Sequence, residues 1–193
     1  MANEKLNGAD YLLLLLYLDN CKPIKGAIRL TKMMYLFEKE IQPVLKKKGL
    51  DCTNLPEFIA YNFGPFSKDL YEQLDFFQNL KFIKTKDINA EEMGEVDDWR
   101  GEWYDGINDP INLGYMIDNK YMQYEIADRG KMYVEKKILP MLNDDQLHLL
   151  LQFKTKLIKT SAKNILRYVY TKYPESAVNS IIKKDIIGED DES

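Results

Sequence analysis

Apolar residues recur at helical spacing along most of the chain, and each such stretch predicts a helix. The first helix is expected from about Gly8 to Asn20, and its unbroken apolar run Leu12–Leu16 indicates burial on most of its faces. A second helix is expected to be kinked or ended by Pro43, close to the cations and Gly49 that form a C-terminal signal. Its apolar stripe comprises Leu30, Met33, Met34, Phe37, Ile41, Val44 and Leu45.

A short β region follows these helices. Phe58–Tyr61 predicts a strand, and Gly64 and Pro65 predict a tight turn, because glycine supplies unusual φ values and proline fixes its own. Ser67 is a good N-cap for a third amphipathic helix that ends near Asn79. Two alternating segments then predict a pair of strands, Lys81–Lys86 and Tyr121–Ile126.

The rest of the chain is predicted to be helical. Asp128 can cap a fourth helix that ends near Pro140, and Asn143 with Gln146 has the sequence of a capping box that opens a fifth. A sixth helix is ended by a proline at position 174. A last short helix is expected over Ser176–Lys183.

The order of these elements predicts the fold class, which is mainly α with a small β-hairpin (α+β). A third helix followed by two strands and another helix is typical of a winged helix-turn-helix, whose third helix is placed where a recognition helix would sit. We therefore predict a winged-helix-like domain over residues 8–140, with an acidic wing insertion at 87–118. Residues 141–184 are expected to form a helical extension packed on it, and 185–193 a disordered acidic tail.

Composition argues against several classes of function. The chain has 27 Lys and Arg against 31 Asp and Glu, a net charge of −4, so it lacks the basic excess typical of nucleic-acid-binding proteins. A single histidine, His148, excludes a multi-histidine metal site, and the two cysteines, Cys21 and Cys52, indicate a cytoplasmic protein with reduced thiols. The longest apolar run, Tyr11–Leu18, is far shorter than the roughly 20 residues of a membrane span. No metal, cofactor or membrane association is predicted.

The insertion between the last two strands is strongly acidic. Asp87–Asp109 contains nine acidic residues and a single base, Arg100. The cluster lacks the spacing of an EF-hand loop, so a solvated charged loop is favoured over a cation site. The alternative interpretation is an acidic surface that engages a basic partner. The residues concerned are Glu91, Glu92, Glu95, Asp97 and Asp98.

A basic stretch lies in the C-terminal third. Lys154–Lys172 contains six Lys or Arg residues and no acidic residue. On a continuous helix four of them would share one face, whereas a new helix capped by Ser161 would divide them. A solvated face is favoured, ahead of contact with the acidic insertion and then with nucleic acid. The four residues are Lys156, Lys159, Lys163 and Arg167.

The outward face of the third helix does not suit DNA. Three carboxylates against one lysine would repel phosphate, so a scaffold or protein-contact helix is favoured over base reading. Its two glutamines could still reach base edges. The outward residues are Lys68, Asp69, Glu72, Gln73, Asp75 and Gln78.

Signals for catalysis are weak, and no catalytic residue is assigned. The chain has no glycine-rich phosphate loop and no Gly-x-Ser-x-Gly elbow. His148 is expected on an exposed helix face and the two cysteines at helix ends, so a Cys/His nucleophile has little support. A paired-acid hydrolase is a remote option, because no predicted element places two carboxylates in an apolar pocket.

Three segments of the chain resemble one known family. They are Gly26–Leu36, Phe58–Tyr71 and the wing with Asp128–Gly130. Together they are similar to the Panacea, or SocA-like, antitoxin-domain family and its uncharacterised bacterial and archaeal relatives, over about Tyr11–Leu139. The residues of the family motif, to which the resemblance gives a structural role, are Leu30, Lys32, Tyr35, Tyr61, Gly64, Pro65 and Ser67.

The resemblance implies a helical, winged-helix-like domain without catalytic residues. Many members of this family act as antitoxins beside diverse toxins, so we expect a non-enzymatic regulatory or interaction protein. Its partner would be another protein, such as a toxin from an adjacent gene, bound through a helical face or the acidic wing. Contact with DNA as a homodimer stays open, and the alternative function is a winged-helix DNA-binding transcriptional regulator.

Overall fold

The computed structural model of the chain describes residues 5–89, residue 92 and residues 122–188. Within these ranges the protein is mainly helical and contains three small β-sheets, which agrees with the predicted α+β class. The predicted helices other than the last are present, as are the two strands predicted on either side of the acidic insertion. They differ from expectation in some of their bounds and in how they continue into one another.

Helix α1 (Gly8–Cys21) has the buried, apolar character that the sequence predicts. A reciprocal capping box starts it, because the Asn7 side chain accepts from the Asp10 amide and the Asp10 carboxylate accepts from the Asn7 amide. The run Leu12–Leu16 is at most 1% exposed. Since these five leucines point in all directions around the axis, α1 is covered by other elements on every side.

The second predicted helix is one helical segment in three parts. α2 (Ala27–Leu36) continues through a π-helical turn at Phe37–Ile41 into α3 (Gln42–Lys47), and Gly49 follows with φ +85°. Pro43 does not end the helix. It lies in the first turn of α3, directly after the wide π-helical turn, where a missing N–H is tolerated.

Two strands near the N-terminus were not predicted. β1 (Lys5–Asn7) pairs in parallel with β3 (Asp51–Thr53), and Leu6 lies opposite Cys52. Each strand has only three residues, which is too short for an alternating pattern to show. The pairing nevertheless ties the start of α1 to the chain that leaves α3.

The two strands predicted on either side of the acidic insertion form an antiparallel pair, and a third strand joins them. β6 (Ile83–Asp87) and β7 (Met122–Ile126) are antiparallel, with Thr85 opposite Tyr124. The dipeptide β2 (Ile24–Lys25) pairs with the other edge of β7, so the strand order is β2-β7-β6. The sheet therefore connects the segment after α1 with this strand pair.

A separate small hairpin precedes the third helix. β4 (Ile59–Tyr61) and β5 (Gly64–Phe66) pair antiparallel, so the predicted turn is followed by a second short strand. α4 (Lys68–Asn79) then begins after Ser67. The Ser67 hydroxyl accepts the Leu70 amide at 3.3 Å, which confirms the predicted N-cap.

The C-terminal half is helical, as predicted. α5 (Asp128–Tyr133) continues through a π-helical turn and a short 3₁₀ turn. The predicted capping box of Asn143 and Gln146 then starts α6 (Asp144–Lys159). A new N-cap at residue 161 starts α7 (Ala162–Lys172), and a 3₁₀ turn at 174–177 occupies the start of the last predicted helix.

The backbone of Thr160 is extended (φ −90°, ψ 135°) and Ser161 caps α7, so α6 and α7 are separate helices, as predicted, and the four basic residues do not lie on one continuous helix. Three expectations for this half are wrong. Asp128 is the first residue of α5 and does not cap it, because the N-cap is Ala127. The last helix was expected over Ser176–Lys183, but a 3₁₀ turn and further turns occupy 174–182 and the α-helix begins only at Lys183. Residues 185–187 are not a disordered tail, because they belong to α8 (Lys183–Ile187). Ile182 and Ile186 are one turn apart and both buried, which anchors this short helix.

The helical extension shares one hydrophobic core with the rest of the protein. α6 packs on α1, and α7 packs on α2. The ring of Phe37 lies 4.3 Å from that of Tyr11 and 6.4 Å from that of Phe153, so three helical segments meet at one aromatic cluster. The apolar contacts run without a break from α1 to α8.

Three buried cations join these elements through backbone carbonyl groups. Arg29 donates to the last carbonyls of α6. Lys154 donates to the carbonyls of Leu16 and Leu18 at 3.2 and 2.6 Å, and Lys32 donates to a carbonyl of β5 at 2.6 Å. All three side chains are at most 6% exposed. Lys154 therefore does not contribute to a basic surface, although it belongs to the basic stretch of the sequence.

Candidate functional site

Three of the residues on which the resemblance rests, Lys32, Gly64 and Pro65, meet at one turn. Lys32 donates to the Pro65 carbonyl at 2.6 Å, and the adjacent Gly64 has φ +77°. A Cβ at Gly64 would lie 2.5 Å from a ring carbon of Tyr170, so both backbone conformation and space require glycine. Because Ser67 begins α4 directly after this turn, the turn sets the direction of α4. The other motif residues are buried in α2 (Leu30 and Tyr35) or half-buried in β4 (Tyr61).

The segment Asp128–Gly130 joins the other end of α4 to α5. Arg129 donates to the Leu80 carbonyl at 3.1 Å and stacks over the ring of Phe82 at 5.3 Å. A side chain at Gly130 would collide with the Phe82 carbonyl oxygen. The turn at Gly64 and the contacts of Arg129 therefore hold α4 at both of its ends.

The outer side of α4 is acidic and carries an exposed aromatic ring. Phe76 is 58% exposed, although it neighbours the buried Phe77. Lys68, the one cation, lies 3.1 Å from the Glu72 carboxylate. We refer to this region as the α4 surface, and it consists of the exposed residues Lys68, Asp69, Glu72, Asp75 and Phe76.

The two glutamines of α4 are only partly exposed. The side-chain oxygen of Gln73 is buried and has no hydrogen-bond partner among residues 5–89, 92 and 122–188. A buried acceptor without a partner costs stability, and it is shielded from any base edge that approaches from solvent. Gln73 therefore does not offer its side-chain oxygen to a base edge.

The lysines of β6 are paired with carboxylates. Lys84 lies 2.9 Å from Glu125, and Lys86 lies 2.7 Å from Glu92. These hydrogen bonds raise the pKa of both lysines, and the Lys86 bond lowers the pKa of Glu92. Lys25 also donates to the Glu92 carbonyl. The other predicted residues of the acidic wing lie outside the described residues: Glu91, Glu95, Asp97 and Asp98.

The four residues of the proposed basic face are divided between two helices. Lys156 and Lys159 are exposed on α6, whereas Lys163 and Arg167 belong to α7. Arg167 donates to the Ile186 carbonyl at 3.0 Å and so holds α8 in place. The structure therefore does not assemble these four residues into the predicted stripe.

A polar cluster that the sequence did not indicate surrounds Glu40 in the π-helical turn. One oxygen of Glu40 accepts from Tyr168 at 2.6 Å, from Lys172 at 2.8 Å and from Tyr173 at 3.1 Å. Partial burial raises the pKa of Glu40, but the three hydrogen bonds outweigh it and the pKa is lowered overall. Burial and the neighbouring carboxylate raise the pKa of Tyr173 to about 12.

The Glu40 cluster could not be seen in the sequence, because its residues are far apart along the chain. Its donors follow Glu40 by 128 to 133 positions. The single available signal was the regular spacing of Tyr168 and Lys172 on one face of α7. That spacing does not say which carboxylate completes the cluster.

The cysteines and the histidine do not form a nucleophilic site. Cys52 lies in β3 and not at a helix end, and its thiol contacts the Tyr11 hydroxyl at 3.1 Å. Burial raises the pKa of Cys52, which makes it a poor nucleophile. Cys21 is a partly exposed free thiol at the end of α1, and His148 is exposed on α6.

The described residues contain neither a cluster of metal-ligating side chains nor a helix that could span a membrane. No group of three or more His, Cys, Asp or Glu side chains in residues 5–89, 92 and 122–188 could hold a metal ion. None of the helices in these ranges has both the length and the apolar character that crossing a bilayer requires. Comparisons of the chain with models of protein families, with curated proteins and with solved structures found no match.

Proposed function

We propose that this protein is a non-enzymatic interaction protein that binds a partner protein through the α4 surface. The observation that carries the proposal is the 58% exposed ring of Phe76 beside the carboxylates of Glu72 and Asp75. Aromatic side chains are enriched at the centres of protein interfaces, and charged residues at their rims. The partner would present an apolar pocket bordered by basic residues.

The charge of the α4 surface supports a protein partner over DNA. Three carboxylates face one lysine, which already pairs with Glu72. Binding to a phosphate backbone depends on free cations that displace counterions, and a net negative helix would be repelled. Lys84 and Lys86 on the wing are likewise paired with carboxylates.

The rigid setting of α4 also supports this proposal. The helix is held at its start by the turn at Gly64 and at its end by Arg129. A preformed surface loses little conformational entropy on binding, which favours affinity. The resemblance to the antitoxin domains suggests a toxin encoded by an adjacent gene as the partner, and the acidic wing is a second proposed contact.

A transcriptional regulator is the second candidate function. It is supported by the order of elements: α4 is followed by the antiparallel strands β6 and β7, and β2 adds a third strand beside β7. Under this proposal the domain is a winged helix that binds DNA as a dimer. The exposed lysines of α6, Lys156 and Lys159, would contact phosphates.

We place this protein in the cytoplasm as part of the same proposal. The support is that Cys21 and Cys52 are both free thiols, as is usual in a reducing compartment. An antitoxin-type partner in that compartment would meet it without export.

Co-expression with the product of the adjacent gene tests the first proposal. The wild-type protein is expected to copurify with that product and to restore growth if the product is toxic. Phe76→Ala should lose both effects, because it removes the exposed anchor, whose ring contact with the core is the one with Phe77. Val178→Ala, at a side chain that is 67% exposed and outside the α4 surface, is the matched control and should keep both.

A harmless neighbour that does not copurify would refute the antitoxin-type role. Equal behaviour of the two variants would refute the α4 surface as the contact. Mobility shifts on random-sequence DNA test the second candidate. A regulator would bind at low salt and lose affinity steeply as salt rises, whereas absence of binding at low salt eliminates it.

A further inference from the structure

A small cavity lies beside the Glu40 cluster. Its volume is about 190 Å³, and it is enclosed by the end of α2 with the π-helical turn, by α6 and by α7. Its apolar lining includes Leu36, Leu157 and Ile165. Its polar lining includes Glu40 and Lys156. The combination of an apolar body with few polar groups is typical of a site for a small molecule.

The walls of this cavity are held in place by interactions that do not depend on a ligand. Arg29 donates to the carbonyls of Leu157 and Thr160, both of which line the cavity. Ser161 caps α7 directly after this point, at the Asn164 amide. The cavity is therefore formed in the free protein, and a ligand would not have to order it.

The polar groups of the cavity have different charge states. Glu40 is compensated, because Lys172, Tyr168 and Tyr173 all donate to one of its oxygens. Lys156 has no hydrogen-bond or ion-pair partner for its ammonium group within the part of the chain that the structure describes. The cavity therefore offers one uncompensated positive charge, and it lies beside an apolar space.

We propose that this cavity binds a small monocarboxylate with an aromatic or branched aliphatic body. The body would occupy the space lined by Leu36, Leu157 and Ile165, and the carboxylate would accept a charge-assisted hydrogen bond from Lys156. Glu40 sets the orientation, because its oxygens are hydrogen-bond acceptors and a ligand carboxylate has no donor to offer them. The cavity shares no residue with the α4 surface, so this proposal stands or falls independently of the proposed function.

Calorimetric titration with benzoate and with 4-methylpentanoate tests this proposal, with benzamide and 4-methylpentanamide as neutral probes of nearly the same shape. Both carboxylates are expected to bind in the millimolar range or tighter, and each amide about tenfold more weakly, because only the carboxylate gains from the charge of Lys156. The amide resonances that shift in NMR spectra should belong to residues around the cavity.

A pair of variants on one helix separates the site from general surface charge. Lys156→Met should weaken benzoate binding about tenfold and leave benzamide binding unchanged. Lys159→Met removes an equally exposed lysine of α6 that does not line the cavity, and should change neither. Thermal melting of both variants checks that they fold.

Several outcomes would overturn the proposal. They are equal affinity for acid and amide, equal loss of binding in the two lysine variants, and shifted resonances away from the cavity. Absence of both heat and shifts at millimolar carboxylate would also overturn it.

Discussion

The acidic helix α4 and the basic stretch Lys154–Lys172 differ in how much of their charge is left on the surface. On α4 the carboxylates remain on the surface beside an exposed ring. In the basic stretch Lys154 is fully buried, Arg167 is bonded to a backbone carbonyl, and Lys172 is neutralised by Glu40. A run of cations in a sequence is therefore not the same as a basic surface, because long cationic side chains can be used to hold carbonyl groups and carboxylates inside the fold.

Substitution of Lys154, the buried residue of the basic stretch, should have the largest effect on the free energy of unfolding. Lys154→Ala would leave the carbonyls of Leu16 and Leu18 without their donor and create a void against α1, so we expect the free energy of unfolding to fall by about 3 kcal/mol. Lys159→Ala, at an exposed position of the same helix, should stay within about 0.5 kcal/mol. Chemical denaturation measures both, and equal effects would contradict the division of the stretch into buried and exposed cations.

Lys154 should also make the stability of the protein depend on pH. Burial lowers the pKa of Lys154 to about 8, although nearby Asp19 acts in the opposite direction. Because the unfolded chain binds the proton up to about pH 10.4, the contribution of Lys154 to stability rises with pH above 8, by about 2 kcal/mol between pH 8 and 9.5.

This contribution is measured as a difference. The raised pKa of Cys52 opposes the rise in the same pH range, so the relevant quantity is the stability of the wild-type protein minus that of Lys154→Gln. That difference should increase from pH 8 to 9.5. A constant difference would mean that Lys154 titrates as a solvated lysine.

The Glu40 cluster should give an intermediate effect. Glu40→Gln keeps an acceptor for Tyr168 but loses the ion pair with Lys172, so we expect a loss of about 1 kcal/mol at neutral pH. Since the pKa of Glu40 is lowered in the folded protein, its contribution is present above the usual glutamate pKa of about 4.3 and is lost as pH falls through the lower folded value. The wild type and the variant should converge at low pH in urea melts, and parallel curves would be inconsistent with this role.

The surface charge of α4 should give the smallest effect on stability and should act on association instead. Asp75→Asn is expected to leave the melting temperature unchanged and to slow association with the partner protein a few-fold at low salt. The reduction should disappear as salt screens the surface. Stopped-flow measurement at two salt concentrations provides the check, and a salt-independent change would argue against an electrostatic role.

Local signals in the sequence were sufficient to predict most helices. The caps of α4 and α6 join residues that are three positions apart, so they can be recognised in the sequence. They are Ser67 for α4 and the capping box of Asn143 and Gln146 for α6. The alternating segments of the wing were equally accessible, whereas the two-residue strand β2 and the pairing of β1 with β3 gave no periodic signal.

Of the two candidate sites, one could be predicted in part from the sequence and the other could not. The acidic character of α4 and its exposed charged residues follow from the spacing of charges on one amphipathic helix. The exposed ring of Phe76 was not predicted, and Gln73 and Gln78 are only partly exposed although both were expected to face outward. The cavity beside Glu40 could not be predicted, because it requires α2, α6 and α7 to meet and Arg29 to end α6 at one particular place. No spacing within any one of these helices contains that information.

The sequence by itself determined where helices begin, which of their faces are apolar, and the sign of charge along each segment, because these properties depend on neighbours three or four positions apart. Only the tertiary structure decided which charged side chains are buried or paired and which are left without a partner. Whether a lysine such as Lys154 or Lys156 is buried against carbonyls or left at the edge of a cavity depends on which distant segment packs above it. That packing is set by the whole core, whose contacts join residues more than a hundred positions apart.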